Sequence, residues 1–232
     1  MTKSSDPLLW QKRLFWTALF AAAFALIESA VVVYLRALYY PEGFVFPLKL
    51  IGRAHLVIEL AREFSTIIML VAVGALAGST RWQRFAYFMI AFGVWDILFY
   101  GWLKLFLDWP ATLTEWDVLF LLPVPWIGPV LAPFLISFLL IGAGLMILRC
   151  EGRNLPFALP TDAWILALVG VAIMLFTFMA DTDATLRLQN PKPFMYWLFL
   201  PGFVFCVIAL ARAVRYTQRR SSSTSSHNNP VH

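Results

Sequence analysis

Polar side chains recur at helical spacing within one otherwise apolar stretch of the sequence. They are the five residues His55, Glu59, Arg62, Glu63 and Thr66. On a helix these residues fall within an arc of about 100°, so they share one face. Ionised groups in so apolar a stretch are costly and mark a candidate functional site.

This face carries the residue types of acid/base chemistry and of anion binding. We predict that Glu59 and Glu63 are catalytic, as general acid or base. Arg62 is predicted to hold an anionic group of the substrate, such as a phosphate or a carboxylate. His55 is predicted to contact the substrate, and its spacing from Glu59 also fits a metal site. Carboxylate-bridged metal bundles use two Glu-x-x-His pairs, which this sequence lacks, so we predict no metal ligand and leave the cofactor unknown.

Two further apolar stretches place ionisable residues on single helix faces. Glu28 and Arg36 are eight residues apart, and Asp96, Tyr100 and Lys104 follow one another at intervals of four. We predict that Asp96 is a third catalytic residue. The further predicted substrate contacts are Glu28, Arg36, Tyr100 and Lys104. Arg36 and Lys104 lie near helix ends, so their side chains can instead snorkel to the membrane interface.

The carboxylates need neutralising if they are buried together. Glu59 and Glu63 are one turn apart and repel each other when both are ionised in a low dielectric. Arg62 neutralises one of them, or one carboxyl stays protonated, or a cation bridges the two. The pairing of Arg62 stays open between Glu59, Glu28 and Asp96. A balanced ion-pair network that only ties helices together is the structural alternative.

The composition favours a membrane as the environment of these stretches. Apolar residues make up 61% of the 232 residues and charged residues 13%, whereas a soluble domain carries about a quarter charged residues. Apolar runs of about 18 residues or more predict spanning helices. We therefore predict an all-α polytopic membrane bundle of about six transmembrane helices. The runs are Leu14–Tyr40, His55–Gly78, Phe85–Leu107, Ile127–Leu148, Ala163–Ala180 and Phe194–Val214.

The positive charges predict the orientation of the bundle. With the N-terminus inside, eleven basic residues face the cytoplasm and four face the other side in loops, as the positive-inside rule demands. We predict a multi-pass protein of the plasma membrane, the inner membrane of a bacterium, with both termini cytoplasmic. Topology accounts for the net charge of +5, and no nucleic-acid partner is predicted. The cytoplasmic residues are Lys3, Lys12, Arg13, Arg81, Arg84, Arg149, Arg153, Arg212, Arg215, Arg219 and Arg220, and the other four are Lys49, Arg53, Arg187 and Lys192.

The runs divide the chain into a cytoplasmic head at 1–13, one transmembrane domain at 14–214 and a disordered cytoplasmic tail at 215–232. The first run is not expected to be a cleavable signal peptide, because its apolar stretch is too long. Cys150 and Cys206 lie at the cytoplasmic end of a helix and inside a helix, so no disulfide is predicted.

The segment 108–126 is predicted to lie outside the membrane, between the third and fourth helices. It holds three acidic residues, three tryptophans and three prolines, and tryptophan is enriched at the membrane interface. Its middle part, Trp116–Trp126, is too short to span. We predict that it lies in the interface or enters the membrane and returns, with a lid over a site as the alternative.

The cytoplasmic halves of the first three predicted helices contain almost no polar side chains. Ala18–Ile27 and Ile67–Gly78 contain none, and Phe85–Trp95 contains only Tyr87 and an indole. This asymmetry predicts a cavity that opens to the outside and is closed below. We expect it to bind an amphiphilic or anionic lipid-like substrate, and whether it also transforms that substrate, as an enzyme, stays open. The alternatives are a structural subunit of a membrane complex and a small proton-coupled transporter that forms a homodimer.

Overall fold

The computed structural model of the chain describes residues 7–49, 52–153 and 155–227. Within them lie six long helices, one short helix and two short strands. In chain order the elements are α1 (Pro7–Tyr39), α2 (Arg53–Ala77), α3 (Arg81–Leu107), β1 (Trp116–Phe120), β2 (Trp126–Pro129), α4 (Leu131–Gly152), α5 (Thr161–Met179), α6 (Thr182–Leu186) and α7 (Tyr196–His227).

Five of the long helices, α1, α3, α4, α5 and α7, are long and apolar enough to cross a membrane. Their outward faces carry large apolar side chains such as Phe15, Trp16 and Leu168, whereas Glu28 and Asp96 are buried. A soluble protein shows the reverse distribution, with apolar side chains inside and charges outside. These features confirm the prediction of a helical, multi-pass membrane bundle, with five candidate spans among the described residues.

Small residues let the helices approach closely. α3 packs against α1, α2 and α4. α5 and α7 pack against each other, and α7 also contacts α4. A Cβ atom on Gly93 of α3 would lie 2.6 Å from the backbone oxygen of Ser137 in α4, and one on Gly170 of α5 would lie 2.5 Å from that of Gly202 in α7. Such contacts are the usual basis of helix packing in membranes.

Substitution of Gly144 in α4 tests this packing. A Cβ there would lie 2.6 Å from Ile90 Cγ1 and 2.7 Å from the backbone oxygen of Ala86, so Gly144→Ala is expected to destabilise the protein by about 1–3 kcal/mol through overpacking. A Cβ on Gly142, in the same helix, would meet open space, with no atom of another element within 4 Å. Gly142→Ala is the matched control and should leave thermal unfolding unchanged or raise its midpoint. Equal midpoints for the two variants would contradict the α3–α4 contact.

The segment predicted as an interfacial loop contains a β-hairpin. β1 and β2 pair antiparallel, with Val118 opposite Ile127 and an irregularity between Val118 and Phe120. Apolar, aromatic and β-branched residues favour strands here, and β2 ends at Pro129, two residues before α4 begins. The predicted fourth run therefore began too early, because Ile127 belongs to a strand and the helix starts at Leu131.

The last helix extends beyond its predicted end at Val214. α7 continues to His227, so the tail predicted to be disordered from residue 215 is helical over its first part. Thr217 holds the first turn of this extension against the segment before α5, because its buried hydroxyl accepts the Ala158 backbone N–H at 3.1 Å. Residues 228–232 of the predicted tail and 1–6 of the predicted head lie outside the described residues.

Candidate functional site

Seven of the nine predicted site residues line two adjoining chambers at the end of the bundle where α1 and α3 end and α2 begins. We call this end the hairpin end. The first chamber, of about 140 Å³, lies among α1, α2, β1 and the segment after α1. The second, of about 60 Å³, lies among α1, α2, α3 and β1. Both are lined by Val32, Arg62, Glu63 and Val118. The seven predicted residues are Glu28, Arg36, Glu59, Arg62, Glu63, Asp96 and Tyr100.

The two other predicted residues, His55 and Lys104, are exposed and line neither chamber. His55 Nδ1 lies 2.5 Å from the hydroxyl of Tyr39, which does line the first chamber. Lys104 Nζ pairs with Asp108 Oδ1 at 2.6 Å on the surface. The structure therefore does not bring Lys104 to the site, and it connects His55 to the site only through Tyr39.

Arg62 binds two carboxylates at once. Its Nε and Nη2 donate to Glu59 Oε2 at 3.0 and 2.8 Å, and its Nη1 donates to Glu28. The other oxygen of Glu28 accepts the Thr66 hydroxyl at 2.9 Å. Glu28 and Glu59 are both buried. Of the pairings that the sequence left open, Arg62 makes those with Glu59 and Glu28, and it ties α2 to α1.

Arg36 is buried and paired. Its Nη2 lies 3.3 Å from Asp117 Oδ1, and its guanidinium carbon lies 3.7 Å from the Trp109 ring centroid and 4.3 Å from that of Phe44. The Tyr100 hydroxyl donates to Asp117 Oδ2 at 3.1 Å. The snorkelling interpretation of Arg36 is therefore wrong, because β1 supplies a buried partner that the sequence did not reveal.

Asp117 is the site residue that sequence reasoning missed, because its position in a loop favours a solvated acidic rim. A Trp-Asp-x-Leu-Phe pattern occurs at Trp95–Phe99 and again at Trp116–Phe120, and the structure buries the aspartate of both copies, Asp96 and Asp117. That repeat is the signal that could have found it. Burial raises the pKa of Asp117 to about 6, and the charge of Arg36 and the Tyr100 hydrogen bond offset only part of this rise.

Glu63 and Asp96 accept hydrogen bonds but have no ion-pair partner among the described residues. Glu63 Oε2 accepts the Leu121 backbone N–H, which follows β1, at 2.8 Å. Asp96 Oδ2 accepts the Ser137 hydroxyl of α4 at 2.8 Å. Both carboxyl groups are buried and line the second chamber. Of the three predicted catalytic residues, these two form no ion pair with an arginine in the described structure.

A third chamber, of about 270 Å³, extends from Asp96 between α3 and α5. Phe88 and Phe92 of α3 face Val171 and Met174 of α5 across it, with α4 behind and the hairpin above. Apart from Asp96, Ser137 and two indoles, its lining is apolar. The residues it shares with the second chamber are Trp95, Asp96, Leu119 and Phe120.

In the part of the chain that the structure describes, no group of three or more histidine, cysteine, aspartate or glutamate side chains is placed to hold a metal ion. Comparisons with protein-family models, with curated proteins and with solved structures found no match to this chain. The geometry of the chambers is therefore the basis for the functional inference.

Proposed function

We propose that the protein is a six-span protein of the bacterial inner membrane, with both termini cytoplasmic, that binds an amphiphilic, lipid-like ligand in the three chambers. α2 is the sixth span in this proposal. Its buried face holds Glu59, Glu63 and Thr66, while Val57, Phe64 and other large apolar residues on its opposite face are exposed. An exposed apolar face over a buried polar one suits a helix surrounded by lipid.

The hairpin end faces outward in this arrangement. The opposite end of the bundle carries most of the basic side chains outside the site, among them Arg81, Arg84, Arg149 and Arg153. The positive-inside rule assigns such an end to the cytoplasm. The first chamber then opens toward the outside, and the apolar core of Ala21, Phe24, Ala25, Leu70 and Ala91 lies below the polar groups.

The observation that carries the proposal is the shared wall between a polar and an apolar chamber. Asp96 and Trp95 line both the second and the third chamber. A ligand that spans this wall has a polar head among carboxylates and an apolar tail between α3 and α5. Ligand sites of this kind are mostly apolar with a few convergent polar groups.

The apolar chamber also offers a lateral entrance. α3 and α5 meet through Trp82 and Trp164, whose ring centroids are 6.3 Å apart. Further along α5 the chamber is lined by Val171, which is also exposed on the outer surface. A lipid-like tail can therefore enter from the bilayer, between the two helices, without passing through water.

Glu63 and Asp96 remain the candidates for acid/base catalysis if the ligand is transformed. Glu59 is less suited, because Arg62 holds it in two hydrogen bonds. The apolar core below the site favours a binding site that is closed on one side over the continuous polar pathway that a proton-coupled transporter needs.

Filling the third chamber tests the proposal. The probe is dodecanol with a terminal diazirine, photolysed on the full-length protein in nanodiscs, with mass spectrometry of the labelled peptides. We expect α3 and α5 peptides of the wild type to be labelled in competition with unlabelled dodecanol. Leu140→Trp, which places an indole in the chamber, should abolish the competed labelling.

The matched control is Phe138→Trp, two residues away on the same helix, at a side chain that is exposed on the outer surface. It should label like the wild type. Labelling that free dodecanol does not compete, or that Leu140→Trp leaves unchanged, would show that the chamber is not a binding site.

A further inference from the structure

The second chamber carries more negative than positive groups. Glu28, Glu63 and Asp96 line it, with Arg62 as the one basic side chain among its described lining residues. Arg62 already donates to Glu28 and Glu59. Its guanidinium is thus occupied by carboxylates of the protein, and an anionic ligand would have to displace them.

The bases of the first chamber do not compensate this excess. Arg36 pairs with Asp117, and Lys49 is an exposed side chain whose Nζ lies 5.3 Å from the Tyr40 ring centroid. Glu63 and Asp96 therefore remain as buried acceptors without an ion-pair partner in the described part of the chain. Burying carboxylates without a positive partner is costly, so a positive group from a ligand would be strongly favoured there.

A second observation, separate from the carboxylates, also indicates a ligand. The indole nitrogens of Trp95 and Trp126 are buried and have no hydrogen-bond partner among the described residues. Both tryptophans line the third chamber, and Trp95 is only 7% exposed. Buried indole N–H groups usually have a hydrogen-bond acceptor. A ligand oxygen beside the apolar tail would supply that acceptor.

We propose that the ligand is a cationic amphiphile, with a protonated amine between Glu63 and Asp96 and an apolar chain in the third chamber. The inference rests on the proposed function and replaces the anionic head that Arg62 suggested. A chamber of about 60 Å³ has room for a few water molecules at most, so it suits a small ammonium group rather than a bulky head. A hydroxyl or ester oxygen next to the amine would be placed to accept from an indole.

Three photolabels of equal chain length test the sign of the charge. They are twelve-carbon chains with a terminal diazirine that carry a primary amine, a hydroxyl or a carboxylate, used on the full-length protein in nanodiscs of neutral lipid. We expect the amine to label the α3 and α5 peptides with an affinity roughly tenfold or more above that of the alcohol, as a charge-assisted contact gives. The carboxylate should bind more weakly than the alcohol.

Variants identify the groups responsible. Glu63→Gln keeps an oxygen acceptor for the Leu121 N–H and removes the charge, so it is expected to lower the affinity for the amine about tenfold and that for the alcohol by much less. Asp96→Asn should act in the same direction. Asp108→Asn, at an exposed carboxylate that pairs only with Lys104 in the described structure, is the control and should change neither affinity.

The outcomes separate the two proposals. If the alcohol and the amine bind equally, or Glu63→Gln weakens neither, the cationic head is wrong while the amphiphile site stands. If the carboxylate binds best, the anionic head expected from Arg62 is restored. If none of the three probes labels the chamber in competition with its unlabelled parent, the proposed function itself fails. Should Asp96→Asn fail to fold, Glu63→Gln still decides.

Discussion

Replacing Arg36 with methionine is expected to lower the free energy of unfolding by about 3–5 kcal/mol at pH 7. The substitution keeps the side-chain bulk against Trp109 and Phe44 but leaves Asp117 buried without its ion-pair partner. Removing one member of a buried pair costs more than the pair contributes, because the remaining charge has lost its compensation. Equilibrium unfolding in mixed micelles of a denaturing detergent measures the change.

The effect should depend on pH in a definite direction. Asp117 has a folded pKa of about 6, raised by burial above its ordinary value. Between the unfolded and the folded pKa the native state binds more protons than the unfolded state, so stability falls as the pH rises through that window. Loss of Arg36 removes a charge that lowers this pKa. The difference in unfolding free energy between variant and wild type should therefore be larger at pH 7 than at pH 5, and it should grow further as the pH rises toward the higher pKa of Asp117 in the variant.

Two controls distinguish the loss of the Arg36–Asp117 ion pair from a non-specific loss of stability. In Arg36→Met/Asp117→Asn the buried charge is gone, so stability at pH 7 should partly recover. The Asp117 titration is gone as well, so the stability of the double variant should no longer fall between the unfolded and the folded pKa of Asp117 as that of the wild type does. Lys104→Met breaks the exposed pair with Asp108 and should leave the unfolding curve almost unchanged. A single Arg36 variant as stable as the wild type at pH 7 would show that Arg36 and Asp117 do not form a buried pair.

Helical periodicity was enough to predict the polar face of α2. Glu59, Glu63 and Thr66 are all buried on that face, because residues three and four apart necessarily share one side of a helix. The sequence also predicted that these groups lie above an apolar core, which the packing of Phe24 and Leu70 confirms. Local geometry and hydropathy suffice for such features, since both depend on neighbours along the chain.

The hairpin and its partners were beyond local reasoning. Asp117 meets Arg36 across 81 positions of the chain, and its burial exists only because β1 folds back between the helices. The flanking tryptophans and prolines are equally typical of a loop at the membrane interface. The prediction for Arg36 was wrong for the same reason. A basic residue near a helix end is typical of a snorkelling side chain, and its buried partner belongs to a different element of the chain.

The net charge of the polar cluster also could not be predicted from the sequence. Four carboxylates and three bases on the first three helices suggested a balanced network, but the structure places Lys104 on the surface and brings in Asp117. Arg36 is then paired with Asp117 beside the first chamber, and the described lining of the second chamber keeps Glu28, Glu63 and Asp96 with Arg62 alone. Counting charges along a sequence therefore predicts that a cluster exists, whereas its net charge depends on which side chains the fold brings together.

Replacing Arg62 with methionine is expected to destabilise the protein at least as much as the loss of Arg36, by about 3–5 kcal/mol or more. Its guanidinium is the contact that neutralises both Glu28 and Glu59, and both carboxylates are buried. Arg62→Lys should recover only part of the loss, because a single ammonium cannot reproduce the planar fork that serves two carboxylates. Adding Glu28→Gln and Glu59→Gln to Arg62→Met should restore most of it.

Binding to the Arg62 variants decides what this residue does for the ligand. If Arg62 held an anionic head, Arg62→Lys would weaken a twelve-carbon carboxylate and leave a twelve-carbon amine unaffected. If it neutralises Glu28 and Glu59, as its contacts indicate, the folded triple variant Arg62→Met/Glu28→Gln/Glu59→Gln should still bind the amine more tightly than the alcohol. Glu63 and Asp96, which Arg62 does not contact in the described structure, are unchanged in that variant. Loss of amine binding there would make Arg62 part of the ligand site after all, because three compensating substitutions that preserve the fold would then have removed a necessary contact.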